Sequence, residues 1–129
     1  MGEKQPRVLP ERAVLIRSPF VEQILDGGKT WELPGSATKI RGRIGLIRST
    51  SGLVVGSCEL VDVVGPLSLT ELRRHACKAG ARPSEFASLP YQHTFAWVLR
   101  DAKPFRPPVP YRHPSGAIIW VRLTPRARQ

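Results

Sequence analysis

What this chain has little of narrows its chemistry first. Cysteine occurs only as Cys58 and Cys77, with no CxxC pair. A disulfide framework is not expected, and both thiols read as reduced and part-buried, Cys58 in a strand pattern and Cys77 in a helix pattern. The three histidines, His75, His93 and His113, are too far apart for a metal-ligand spacing, and no cofactor is expected. No apolar run approaches the roughly 20 residues of a membrane helix. The opening MGEKQPRVLPER lacks the apolar core of a signal peptide, and Pro6 stands where a myristoylation site carries Ser or Thr. These absences predict a soluble, cytoplasmic protein with no membrane partner.

Acidic residues are also scarce. Ten Asp and Glu face twenty Lys and Arg, for a net charge of +10 and a pI near 10.8. A balance this basic favours polyanionic partners, nucleic acid above all. Plain solubility is the alternative, but Lys39, Arg41, Arg43 and Arg48 fall within ten residues, and clustering argues for a purpose. With 129 residues and 41% hydrophobic content the chain makes one domain. That length can bury a core without staples, removing roughly two thirds of its unfolded surface from water.

Along the chain, residues 1–11 read as a loose polar arm. Residues 12–18 (RAVLIRS) alternate as a first strand, with Val14 and Ile16 on one face. Ser18-Pro19 then reads as an N-cap followed by proline at the first helical position. The helix runs to about Asp26, with Phe20/Ile24 and Val21/Leu25 as apolar i,i+4 pairs, and Gly27-Gly28 stops it. KTWEL is a short strand. GRIGLIRS and GLVVGSCELVDVVGP are two long strands joined through STSG, the second bent at Gly56. Residues 68–80 form the clearest helix: Ser68 and Glu71 make a capping-box pattern and Gly80 ends it. RPSEFASLP is one more turn, HTFAWVLRDA a strand, KPFRPPVPY an extended proline-rich connection, GAIIWVRL a last strand, and residues 124–129 a basic tail. This order predicts a small barrel rather than a parallel sheet.

The segment DGGKTWELP, together with LIRSPFVEQIL, TKIRGRIGLIRS, HTFAWVL and GAIIWVRL, resembles the ASCH domain family of the PUA-like superfamily over about residues 12–123. The family's hallmark is a helix ending in a G-K-x-T-x-E type motif, matched here by Gly27, Gly28, Lys29, Thr30, Trp31 and Glu32. The resemblance implies an α+β fold, a small PUA-like β-barrel with flanking helices, and a cleft at the helix-end motif for RNA or a nucleobase. Wider relatives, the YTH and EVE domains, hold a modified base in an aromatic pocket. Some small ASCH proteins are amidohydrolases on N4-acetylcytidine, and ribonuclease activity is also attributed to the family. Two departures stand out. The arginine common two positions after the motif glutamate is Pro34 here. The amidohydrolases' threonine three positions after the lysine is Glu32 here. Fold membership does not choose among these activities.

The residues suggest a site on their own terms. In an extended segment Lys29 and Trp31 share one face and Thr30 and Glu32 the other; alternatively Lys29 stays on the capping turn and swings toward Glu32. A desolvated lysine beside a glutamate can act as a base or polarise a carbonyl, whereas a surface pair is worth at most about 1 kcal/mol. Thr30 is the one hydroxyl within the motif, so Lys29, Glu32 and Thr30 are the catalytic candidates. Trp97 and Trp120, in apolar strands, read as a core pair. Trp31, Tyr91 and His93 are candidates for holding a base. Lys39, Arg41, Arg43 and Arg48 are candidates for tracking phosphates, and Arg17 and Ser18 for an anion at the helix start. The expected partner is RNA or another single-stranded nucleic acid, or a nucleoside. An enzyme on acylated cytidine, a metal-independent ribonuclease and a non-catalytic protein-interaction domain are the alternatives.

Overall fold

The half-buried strand pattern of residues 12–18 forms β1 (Arg12–Ile16), whose alternation sends Val14 and Ile16 into one apolar cluster and Ala13 into another. In the computed structural model, which describes residues 8–123, β1 leads to α1 (Phe20–Leu25) and a two-residue β2 (Trp31–Glu32). Next come β3 (Gly42–Arg48), β4 (Leu53–Val64), α2 (Leu69–Arg74), 3-10 turns at Ala76–Ala79 and Pro83–Glu85, β5 (Ala96–Pro110) and β6 (Trp120–Arg122). Most of the expected arm and the whole basic tail lie outside the described residues.

The six strands form one mixed sheet in the order β2-β5-β4-β3-β1-β6. Only β1 and β3 pair in parallel among the described strands; the other neighbours are antiparallel. Register shifts along β4 with both neighbours, one of them at Gly56, act as bulges that curl the sheet into a half-barrel. The α+β expectation holds. Inside the curl Val14, Ile16, Ile24, Leu46, Leu60 and Trp97 pack as the main core, and Trp97 stacks on Trp120 with ring centroids 5.2 Å apart.

Four local expectations change. Ser18 does not cap α1: Pro19 holds that position and the Ser18 hydroxyl donates to Glu22 Oε2 at 2.9 Å. The second helix ends at Arg74 and tightens into the 3-10 turn before Gly80 takes the left-handed cap, although its Ser68–Glu71 capping box is present. The proline-rich connection is strand, because β5 continues through Pro110 along β4. Its other edge meets β2 only at Trp97 and Val98, so the prolines beyond have no ladder partner to lose there. The last strand is shorter than its pattern, with Ile118 81% exposed ahead of it. The cysteines also differ from one another. Cys58 is fully buried, which pushes its thiol up to about 12, and Cys77 is exposed.

Candidate functional site

The site begins where α1 stops. Gly27 takes φ +88°, a conformation with little cost for glycine alone. The Asp26 carboxylate accepts the Gly28 N–H at 2.8 Å, and the Lys29 N–H donates to Gln23 O at 3.0 Å. The chain is then tied across to the second helical segment and the sheet: Thr30 N–H donates to Lys78 O, and Leu99 N–H donates to Thr30 O, both at 2.8 Å. Regular pairing with β5 starts only at Trp31.

That late start decides which side chains meet. Lys29 is not yet in the strand, so the two-residue alternation expected for KTWE does not reach it. Lys29 and Glu32 turn to the same side, with Nζ 3.4 Å from Glu32 Oε1. Lys29 is only 5% exposed, and its Nζ also donates to the Ala79 carbonyl at 2.8 Å and lies 5.4 Å from the Phe20 ring centroid. Thr30 borders a separate cavity of about 50 Å³ beside Leu99 and Ala102.

Burial moves both partners toward their neutral forms. Desolvation lowers the Lys29 pKa, and the Glu32 charge offsets this only in part. Desolvation raises the Glu32 carboxyl, against the opposing pull of Lys29 and, more weakly, Arg17. The pair therefore presents a donor and an acceptor side by side in a partly dry setting.

Both residues form part of the wall of an open cleft of about 1040 Å³. One wall comes from the end of β1 and the start of α1, with Arg17, Ser18 and Phe20; another from the end of β3, with Arg48 and Thr50. The 3-10 segment contributes Ala79 and Gly80, and loops bring Phe86, Tyr91, Ile118 and Ile119. Arg48 Nε donates to Glu22 Oε2 at 2.9 Å, so this guanidinium enters the cleft already paired. Gly80 takes φ +74°, which favours glycine, and a Cβ there would stand 2.5 Å from Gln23 Oε1 and push that side-chain tip aside. Among the described residues no group of three His, Cys, Asp or Glu side chains is placed to hold a metal ion.

The remaining sequence candidates separate. Trp31 does not face the cleft; it is 7% exposed and packs with Leu67, Leu72, Ala79 and Ala96. Its ring meets His75 at 5.3 Å and lies under the Lys78 ammonium. Its polar sequence neighbours concealed this, because the burying residues come from α2 and β5. Tyr91 borders the cleft, 42% exposed, with its ring across Gly35, whereas the exposed His93 does not line it. The basic cluster is divided by the length of β3, about 20 Å at ~3.4 Å per residue. Arg48 is at the cleft; Lys39, Arg41 and Arg43 are at the far end and do not line it. There Arg43 is held by Glu59 at 2.9 Å and Asp101 at 2.6 Å, and Arg41 donates to the Thr38 and Ile40 carbonyls. The sequence reading missed Phe20, Ile118 and Ile119 as lining residues, having assigned them to a helix core and a strand. The Ala79 carbonyl carried no sequence signal.

Comparison with known proteins agrees with this architecture. The ASCH of Zymomonas mobilis superposes with a TM-score of 0.69 at 19% identity, covering 88% of this chain and 87% of that one. A serine-to-alanine variant of it gives 0.67 at 18% identity over 88% and 87%, and a tyrosine-to-phenylalanine variant 0.66 at 18% over 88% and 89%. At such identities the likeness establishes the fold. A search of curated protein sequences finds no match. The sequence profile of the ASCH domain matches residues 14–109, most of the chain, and so the chain belongs to the ASCH domain family.

Proposed function

We propose that this protein binds single-stranded nucleic acid, RNA in the first place, and that the cleft takes one nucleotide or modified base. The supporting observation is the Lys29–Glu32 pair at 3.4 Å in the wall of a cleft that also presents Phe20, Ile119 and Tyr91. A nucleobase offers the complement: two apolar faces and an edge with adjacent acceptor and donor atoms. The cleft's volume of about 1040 Å³ lies just above the ~300–1,000 Å³ range of small-molecule sites, which leaves room for a sugar. Lys29 donates to a ring nitrogen or carbonyl, and Glu32 accepts from an amino or imino group. The test is a titration of the common ribonucleosides and N4-acetylcytidine, followed by NMR chemical-shift change, with wild type and Lys29→Ala. The reading requires saturable binding by the wild type that weakens on the order of tenfold in the variant, one charge-assisted hydrogen bond's worth. No saturable binding of any nucleoside would dispose of it.

A second reading rests on the burial of Lys29, which lowers its pKa. A neutral Lys29 amine can take a proton from a water as its oxygen attacks the acyl carbon of an acylated cytosine; the C–N bond breaks and the proton passes to the leaving amine. Glu32 holds the lysine in place. Thr30, on the other side of the segment, takes no part. A mass-spectrometric assay for deacetylation of N4-acetylcytidine separates the readings: turnover that disappears in Lys29→Ala establishes the enzyme, and binding without turnover establishes the module.

A further inference from the structure

The charge of the molecule and the charge of its cleft do not match. The net charge is +10, yet Lys29 and Arg48, which enter the cleft, each stand against a carboxylate. Arg17 acts on Glu32 at longer range. Such a lining suits an uncharged base better than a run of phosphates. At the far end of β3 Arg43 stands between two carboxylates, and Lys39 and Arg41 lie about 20 Å from the cleft along the strand.

The second helical segment offers a different surface. Arg73, Arg74, Lys78 and Arg82 fall within ten residues on the segment that forms one wall of the cleft through Ala79, Gly80 and Phe86. His75 N–H donates to Glu71 O and Lys78 N–H to His75 O, so the helical path continues from α2 into the 3-10 turn. Arg74 and Lys78, about one turn apart, are both exposed, as is Arg82 after the Gly80 turn. The two acids of this stretch are occupied with backbone: Glu71 accepts the Ser68 N–H and Glu85 the Arg82 N–H, each at 2.8 Å. Arg73 is spent on the Phe86 carbonyl at 2.8 Å, which pins the next turn in place. Among the described residues Arg74, Lys78 and Arg82 enter no ion pair, although Arg74 acts on Glu71 at longer range. Lys78 keeps its ammonium over the Trp31 ring at 5.3 Å.

We propose that this outer wall, Arg74, Lys78 and Arg82, carries the phosphate backbone of the single strand whose base occupies the cleft. The inference rests on the nucleic-acid reading above. None of the three lines the cleft itself; Lys78 and Arg82 stand next in the chain to its lining residues Ala79 and Ala81, so a strand whose base turns in past Gly80 can lay its neighbouring phosphates on them. An acidic polypeptide would meet the same charges but has no base to place in the adjoining cleft.

The experiment uses the full chain, a short labelled single-stranded RNA, polyglutamate, and the free nucleosides, in a sodium chloride series. Arg74→Gln/Lys78→Gln/Arg82→Gln is compared with wild type, and Arg74→Gln/Arg82→Gln keeps the Lys78–Trp31 contact in case the triple variant loses structure. The log–log salt slope for RNA should fall by about 0.7 per replaced contact, roughly 2 in the triple variant. Affinity near 0.1 M salt should drop on the order of tenfold or more, with nucleoside binding unchanged. RNA affinity and slope retained in both folded variants would overturn the proposal, as would polyglutamate binding as tightly as RNA. Failure of wild type to bind any nucleoside would instead remove the cleft reading on which it rests, whatever the RNA slopes.

Discussion

Arg43 and Arg48 lie five residues apart on the same strand and belong to the same basic run, yet they do opposite things. Arg48 reaches the cleft, held by Glu22 alone. Arg43 is clamped by Glu59 and Asp101 and donates to the Asp101 carbonyl as well, at the far end of the sheet. One end of β3 brings its cation to the wall of the cleft; the other uses it to join β3, β4 and β5. A count of cations along a sequence is therefore not a potential. The carboxylates that answer them come from other strands.

The contrast can be tested in several ways. Trp31→Ala should have the largest effect, a loss of about 3–5 kcal/mol of stability, as for other buried tryptophans. Denaturant unfolding measures it; a variant that is stable but binds ligand poorly would return Trp31 to the cleft. Gly80→Ala comes next. Its φ of +74° strains any side chain, and the new methyl would push the Gln23 side-chain tip aside, so both the melting temperature and ligand affinity should fall, by about 1–3 kcal/mol for a non-glycine residue in the left-handed region. Arg48→Ala should weaken binding on the order of tenfold with little change in melting temperature, and Arg43→Ala should do the reverse. The Arg43 pairs are partly exposed, and solvent screening limits their loss to about 1 kcal/mol or less. Equal binding losses in the two variants would erase the difference between the ends of β3.

The smallest effect is the pH dependence of the cleft. Burial raises the Glu32 carboxyl above 4.5, whereas the Ser68 hydrogen bonds hold Glu71 below it. Carboxyl carbon NMR should show Glu32 titrating last of this pair as pH rises. A raised folded-state pKa means that Glu32's contribution to stability is fully present below about 4.5 and is lost as pH rises through its folded pKa. Lys29→Met removes the nearest opposing charge, so Glu32 should move higher still and the loss across that window should deepen. A Glu32 that titrates lower in the variant would show that Lys29 is not its partner.

The elements themselves were legible in the sequence, because period-two alternation, a capping box and paired glycines act through neighbouring residues. Val14 and Ile16 announced a strand face, Ser68 and Glu71 a helix start, Gly27 a helix end, and the motif from Gly27 to Glu32 pointed to the family. Where side chains go after the backbone leaves a regular element was not legible. Lys29 meets Glu32 because pairing with β5 begins two residues later, and it is buried because α2 and its 3-10 turn bring the Ala79 carbonyl over it. Trp31 is core, and Arg43 is neutralised, for the same kind of reason: their partners at Leu72, Ala96, Glu59 and Asp101 are distant in the chain. Local pattern depends on short-range sterics and solvation, which sequence neighbours carry. Burial and charge pairing depend on which elements the folded chain brings together, and only the tertiary structure decides that.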